Sequence, residues 1–172
     1  MPKKTHVAVV FNEPTVSTEA GRKFISELSK IEGIGSRGQV LASVPAGSVD
    51  LSEVGVLEER RQVQESLQRS GYKASLFNMN GDIRRLLDFL EQEQPDVIFN
   101  LCESVGNESV HEMHVAGIYE LMGIPYTGAG TFALGTCLNK ARTKEILTYH
   151  KIPTPRFAVV NNLNELNSAD FD

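Results

Sequence analysis

Lys140 opens the stretch "NKARTKEIL" (139–147), directly after the glycine loop "TGAG" (127–130). A lysine ammonium is a compact cation that reaches a phosphate, and the unpaired N–H groups of a helix start add donors for the same anion. The surrounding window is basic. From Leu121 to Asn164 the only acidic residue is Glu145, against Lys140, Arg142, Lys144, Lys151 and Arg156. An anionic ligand fits that imbalance, and so does a solvated helix face.

Two glutamates offer the opposite chemistry. Glu13 in "NEPT" (12–15) and Glu103 in "CES" (102–104) each follow a strand-like run, and either carboxylate suits a substrate ammonium group. In open parallel sheets ligands sit beyond the carboxyl ends of the strands. That rule brings Glu13, Cys102, Glu103 and the loop holding Gly128 and Gly130 to one crevice. The glycines would let backbone approach a ligand closely. Glutamates and glycines also populate ordinary exposed loops, so the convergence of three loops carries more weight than any one member.

Other constellations point away from chemistry. "HEMH" (111–114) sets two histidines three residues apart, a spacing that could offer two imidazoles to zinc. The zinc-protease motif needs a spacing of four, and Glu112 has no matching role. A polar helix start is the stronger reading, and no metal ligands are expected. Cys137 has no histidine tied to it by any motif and reads as a small buried helix position. No GxGxxG follows the first strand and no Gly-Lys-Ser/Thr occurs, so the common nucleotide fingerprints are absent.

Strands and helices in alternation must position these groups. "THVAVVFN" (5–12) is a continuous apolar, β-branched run, as expected of a strand buried on both faces. Residues 17–31 read as a helix capped by Ser17 or Thr18, and 33–55 as a Gly/Ser/Val-rich surface excursion. A helix over 56–72 has Leu57, Val63 and Leu67 as its stripe and stops at Gly71. There follow a strand (73–79), a helix ended by Pro95 (81–95), a strand (96–102), a helix ended by Gly123 (111–123) and a short strand (124–128). Short links between alternating elements predict an α/β fold, a three-layer Rossmann-like domain with a parallel sheet. Beyond 128 come a loop, a helix over 139–150, the stiff linker Ile152-Pro153-Thr154-Pro155 and a new strand, "RFAVV".

Composition narrows the class. The 172 residues are 41% hydrophobic and 23% charged, with a formal net charge of −5, which argues against nucleic-acid binding through the overall field. No apolar run reaches the roughly 18 residues of a membrane span. Two distant cysteines read as reduced thiols, and the first residues lead into a strand with no signal-peptide pattern. A cytoplasmic location is expected.

"PDVIFNLCES" (95–104), Ile124-Pro125-Tyr126-Thr127-Gly128, Asn139-Lys140, Thr143-Lys144 and Ile152-Pro153-Thr154-Pro155 occur in a telling order and spacing. Together they resemble the ATP-grasp superfamily, and within it the D-alanine–D-alanine ligase-like proteins. The likeness is specific over 95–160, weaker over 56–94 and near fold level over 1–55. It implies a pre-ATP-grasp Rossmann-like domain (1–128), a connecting loop and helix (129–152) and the first segment of an ATP-grasp lobe (153–172). It further implies that Lys140 contacts nucleotide phosphates. The full-length parent would use ATP and Mg2+ to phosphorylate a carboxylate, and an amine would then attack the acyl phosphate. The remaining lobes of such a ligase would lie beyond residue 172. This chain alone is therefore expected to hold no catalytic residue and to be silent, with an amino-acid-like substrate as ligand and a homodimer left open.

Two places depart from the family pattern. The ligases carry a Ser-Ala-Glu run whose glutamate orients the first D-alanine; here Ser17 takes that glutamate's place, with Glu13 or Glu19 as substitutes. Where the ligases read "ALHG" after the third strand, this chain has "NLCES", with Cys102 replacing the histidine. The rival reading is a free-standing Rossmann-like module that binds a small ligand or a partner without catalysis.

Overall fold

Six consecutive residues, His6–Phe11, form strand β1, and every one of them is buried. An unbroken apolar run of this kind suits a central strand covered on both faces. The computed structural model describes residues 3–13, 15–18, 21–24, 55–105, 108–160, 162 and 165. Its elements continue with β2 (Thr15–Thr18), β3 (Gly21–Phe24), α1 (Val56–Arg69), β4 (Lys73–Asn78) and α2 (Ile83–Glu93). After β5 (Val97–Leu101) come a 3-10 turn (Ser109–His111), α3 (Glu112–Leu121), α4 (Thr131–Leu138) and α5 (Lys140–Tyr149).

The main sheet is parallel, with strand order β4-β1-β5. Val7 pairs with Ala74 on one side and Val97 on the other, and Phe11 pairs with Asn78 and Leu101. Helix α1 covers one face, packing on β1 and β4, and the Arg60 guanidinium lies 4.5 Å from the centre of the Phe11 ring. On the other face Ala8, Val10 and Ile98 meet Leu86 and Leu90 of α2 and Val115 and Tyr119 of α3. Burying each large apolar side chain contributes roughly 1.5–3 kcal/mol, so this cluster is the main stabilising mass. The result is the expected three-layer, Rossmann-like α/β sandwich.

Helix boundaries follow local chemistry. The Asp82 side chain accepts from the Arg84 and Arg85 amides and caps α2. Gln94, at φ 43°, ends that helix just before Pro95. Gly71 (φ 90°) and Gly123 (φ 68°) follow α1 and α3, where the left-handed backbone favours glycine. The expected strand at 124–128 is reduced to one parallel bridge, Ile98 with Tyr126. Two hydrogen bonds hold it: the Ile98 amide to the Pro125 carbonyl at 2.8 Å and the Thr127 amide to the Ile98 carbonyl at 3.0 Å.

Three expectations fail. Residues 15–18 and 21–24 form an antiparallel pair rather than the start of a helix, since three β-branched residues in Thr15-Val16-Ser17-Thr18 outweigh the capping reading. Residues 131–138, read as loop, are helical; Gly135 concealed a Phe-Ala-Leu pattern. "RFAVV" (156–160) forms no strand, because no described strand lies alongside to pair with it. Residues 25–31 and the excursion at 33–54 lie outside the described residues.

The chain divides into two units, Met1–Gly128 and Ala129–Asp172. In the second, α4 and α5 pack on each other, and Thr143 Oγ1 donates to the Thr136 carbonyl at 2.8 Å. Neither helix has a buried residue. Among the described residues no helix is long and apolar enough to cross a membrane.

Candidate functional site

Each strand of the main sheet carries a Phe-Asn pair near its carboxyl end: Phe11-Asn12, Phe77-Asn78 and Phe99-Asn100. The parallel register brings these asparagines to one edge, where they knit the loops together. Asn12 Nδ2 donates to the Ser104 carbonyl at 3.2 Å, while Asn12 Oδ1 accepts from the Gly81 amide at 2.6 Å. Asn100 Oδ1 accepts from the Tyr119 hydroxyl at 3.3 Å and the Cys102 amide at 3.4 Å. The Asn100 amide donates to Thr127 Oγ1 at 3.0 Å.

Glu13 sits within this network and is only 4% exposed. Its amide donates to Asn78 Oδ1, and Asn78 Nδ2 donates to Glu13 Oε2, both at 3.1 Å. The Asn80 amide also donates to Asn78 Oδ1 at 3.1 Å. Asn80 itself has φ 55°, and its side-chain oxygen is enclosed with no hydrogen-bond partner among the described residues. The Glu13 and Asn80 amides thus share Asn78 Oδ1 as acceptor, and a buried carboxylate of this kind is chemically matched to an ammonium donor.

The other expected residues are placed unevenly. Cys102 is a core residue, 1% exposed, and burial, reinforced by the Glu112 carboxylate, pushes its thiol pKa up to about 12. It is a protonated packing group rather than a surface ligand. Glu103 is exposed after β5, and Ser104 beside it is buried. Burial first, then the Glu103 carboxylate, raises the pKa of Glu112, so the two acids share a neighbourhood. Gly128 has φ 112°, and a Cβ there would meet nothing within 4 Å. Its backbone conformation is what favours glycine, not a close neighbour.

Gly130 and Lys140 belong to the second unit. Gly130 precedes α4 at φ −67°, which places no demand for glycine. Lys140 is the first residue of α5 and is exposed, and the Asn139 side chain caps that helix by accepting from the Arg142 amide at 3.0 Å. Lys140 thus lies at the positive end of the α5 dipole. His111 and His114 face each other with Nδ1 atoms 3.1 Å apart. Among the described residues, no group of three or more His, Cys, Asp or Glu is placed to hold a metal ion.

Sequence inspection singled out Glu13, with Asn12 only as its neighbour in the loop, and passed over Asn78 and Asn80. The signal was present as the thrice-repeated Phe-Asn, which becomes meaningful only once the strands are aligned side by side.

No protein-family model matches the sequence. Over 100 residues it is 34% identical to the D-alanine–D-alanine ligase of Zymomonas mobilis, covering 58% of this chain and 29% of that protein. The ligase of an Azoarcus species is 36% identical over 110 residues, 64% of this chain and 33% of its own length. That of Moorella thermoacetica is 30% identical over 118 residues, 69% of this chain and 35% of its own. The crystal structure of D-alanine–D-alanine ligase from Bacillus anthracis complexed with ATP aligns at 18% identity and a TM-score of 0.47, covering 95% of this chain and 44% of that one. The chain spans about a third of the length of the curated relatives it matches. Its sequence is D-alanine–D-alanine ligase-like, a resemblance to the ATP-grasp superfamily that runs through about 60% of its residues.

Proposed function

We propose that the protein carrying this chain is an ATP-dependent carboxylate–amine ligase and that the chain supplies part of its substrate site. The observation that carries this reading is the 30–36% identity to D-alanine–D-alanine ligases over 100–118 residues. The buried Glu13 carboxylate at the sheet edge supports it from the geometry. In this reading residues 1–128 form the pre-ATP-grasp domain, 129–152 the connection and 153–172 the first segment of the nucleotide lobe.

Glu13 would hold the ammonium of an amino acid, where low dielectric strengthens the attraction well beyond its value in water. Asn78 would fix the carboxylate, and Asn80 would offer its enclosed oxygen to a second N–H. Lys140 would neutralise charge on the phosphates of ATP, which lowers the barrier to phosphoryl transfer onto the substrate carboxylate. Magnesium would screen the same phosphates when bound; no residues of this chain are assigned to it. The further ATP-grasp lobes are the partner this reading requires, and the chain alone would turn over no ATP.

The test is ATP-dependent phosphate release by the gene product that carries this chain, across a panel of D- and L-amino acids. Glu13→Gln should raise the amino-acid KM about tenfold or more, the loss of one good charge-assisted contact, and leave the KM for ATP unchanged. Phosphate release that no amino acid stimulates would overturn the reading and favour a ligand-binding module.

A further inference from the structure

The histidine pair at the start of α3 has no task in the ligase reading. His111 ends the 3-10 turn and His114 is the third residue of α3, a spacing that sets both on one helix face. Their Nδ1 atoms lie 3.1 Å apart, with ring centres at 5.2 Å and planes inclined by 44°. Two like nitrogens facing at that distance share a proton, or they define the bite of a chelate. Two imidazole nitrogens bound tetrahedrally to zinc, each at about 2.05 Å, stand about 3.3 Å apart. The Nδ1 spacing therefore lies within about 0.2 Å of a zinc chelate's bite.

Access and charge point the same way. His111 is half-buried and His114 exposed, so one side of the pair meets solvent. Glu112 lies between them in the chain. As the acidic residue of the first turn it offsets the positive end of the α3 dipole, which would otherwise repel a cation.

We propose that His111 and His114 form a two-imidazole site for a zinc-class divalent cation, bound through both Nδ1 atoms and completed by water. In the neutral pair one Nδ1 carries a proton; on binding, that ring passes it to its Nε2, so both Nδ1 lone pairs face the metal with no net proton released. The site uses none of the residues assigned to ligation, so it stands or falls separately from that reading.

The experiment is a titration of the 172-residue chain with Zn2+ alone in a non-chelating buffer, followed by calorimetry and by long-range 1H–15N spectra of the histidine rings. The expected result is one equivalent bound, with the Nδ1 resonances of two imidazoles shifted. His111→Gln and His114→Gln should each weaken binding at least about tenfold. Absence of binding, equal affinity in the double variant, or ligation through Nε2 would overturn the proposal. Thermal unfolding in EDTA checks that the variants fold, and if one does not, the ring spectra of the unmodified chain decide.

Discussion

Glu13 and Asn78 hold each other at the carboxyl edge of the sheet, 65 positions apart in sequence and joined by two reciprocal hydrogen bonds of 3.1 Å. One residue follows β1 and the other ends β4, so the pair exists only when the parallel register is correct. It links the fold directly to the acidic corner on which substrate binding would depend.

Loss of that link should be felt in stability first. Asn78→Ala removes both an acceptor for the Glu13 amide and a donor to its carboxylate, in a place water reaches poorly. Leaving buried polar groups short of a partner costs about 1–3 kcal/mol. Urea unfolding should show a loss of that order, and Asn78→Asp a larger one, because a second acid replaces the donor. An Asn78→Ala variant as stable as the parent would show that the pair does not hold the edge.

The two thiols should differ sharply. Cys102 is buried with its pKa pushed up to about 12, whereas Cys137, expected to be buried, is exposed on a helix with no buried residue. Since only the thiolate reacts, Ellman's reagent at pH 8 should modify Cys137 quickly and Cys102 only on unfolding. Two equally fast thiols in the native chain would contradict the placement of Cys102 in the core.

Acid should weaken the fold in two steps. Burial, followed by the Lys73 charge, lowers the pKa of His6 below 6.5. Stability tied to its neutral form is therefore complete above pH 6.5 and is lost as pH falls through the lowered value. Asp96 accepts the His6 amide at 2.7 Å, and that bond is the main cause of its pKa lying below the usual 3.8. Its contribution is present above that value and disappears as pH falls through the folded one. Urea midpoints measured from pH 8 to pH 3 should decline accordingly, and His6→Gln should abolish the upper step. An upper step that survives the substitution would assign it elsewhere.

Much of this architecture is legible without coordinates because its signals are local. The unbroken run of β1, the stop at Pro95 and the glycines after α1 and α3 each act within a few residues. What escaped is what depends on neighbours. Thr15–Thr18 pairs with Gly21–Phe24 although a serine-threonine start suggested a helix. Residues 156–160 look like a strand, but strand character is realised only against a partner. The candidate site divides the same way. Glu13 is conspicuous as an acid after a strand, while Asn12, Asn78 and Asn80 resemble ordinary loop residues until the register sets them side by side.

Steady-state kinetics of the gene product carrying this chain, with and without Lys140→Ala, bear most directly on its place in an ATP-dependent ligase. A lysine that meets nucleotide phosphates predicts a KM for ATP raised about tenfold or more, with the amino-acid KM nearly unchanged. An unaltered dependence on ATP would remove Lys140 from the nucleotide site and contradict the assignment.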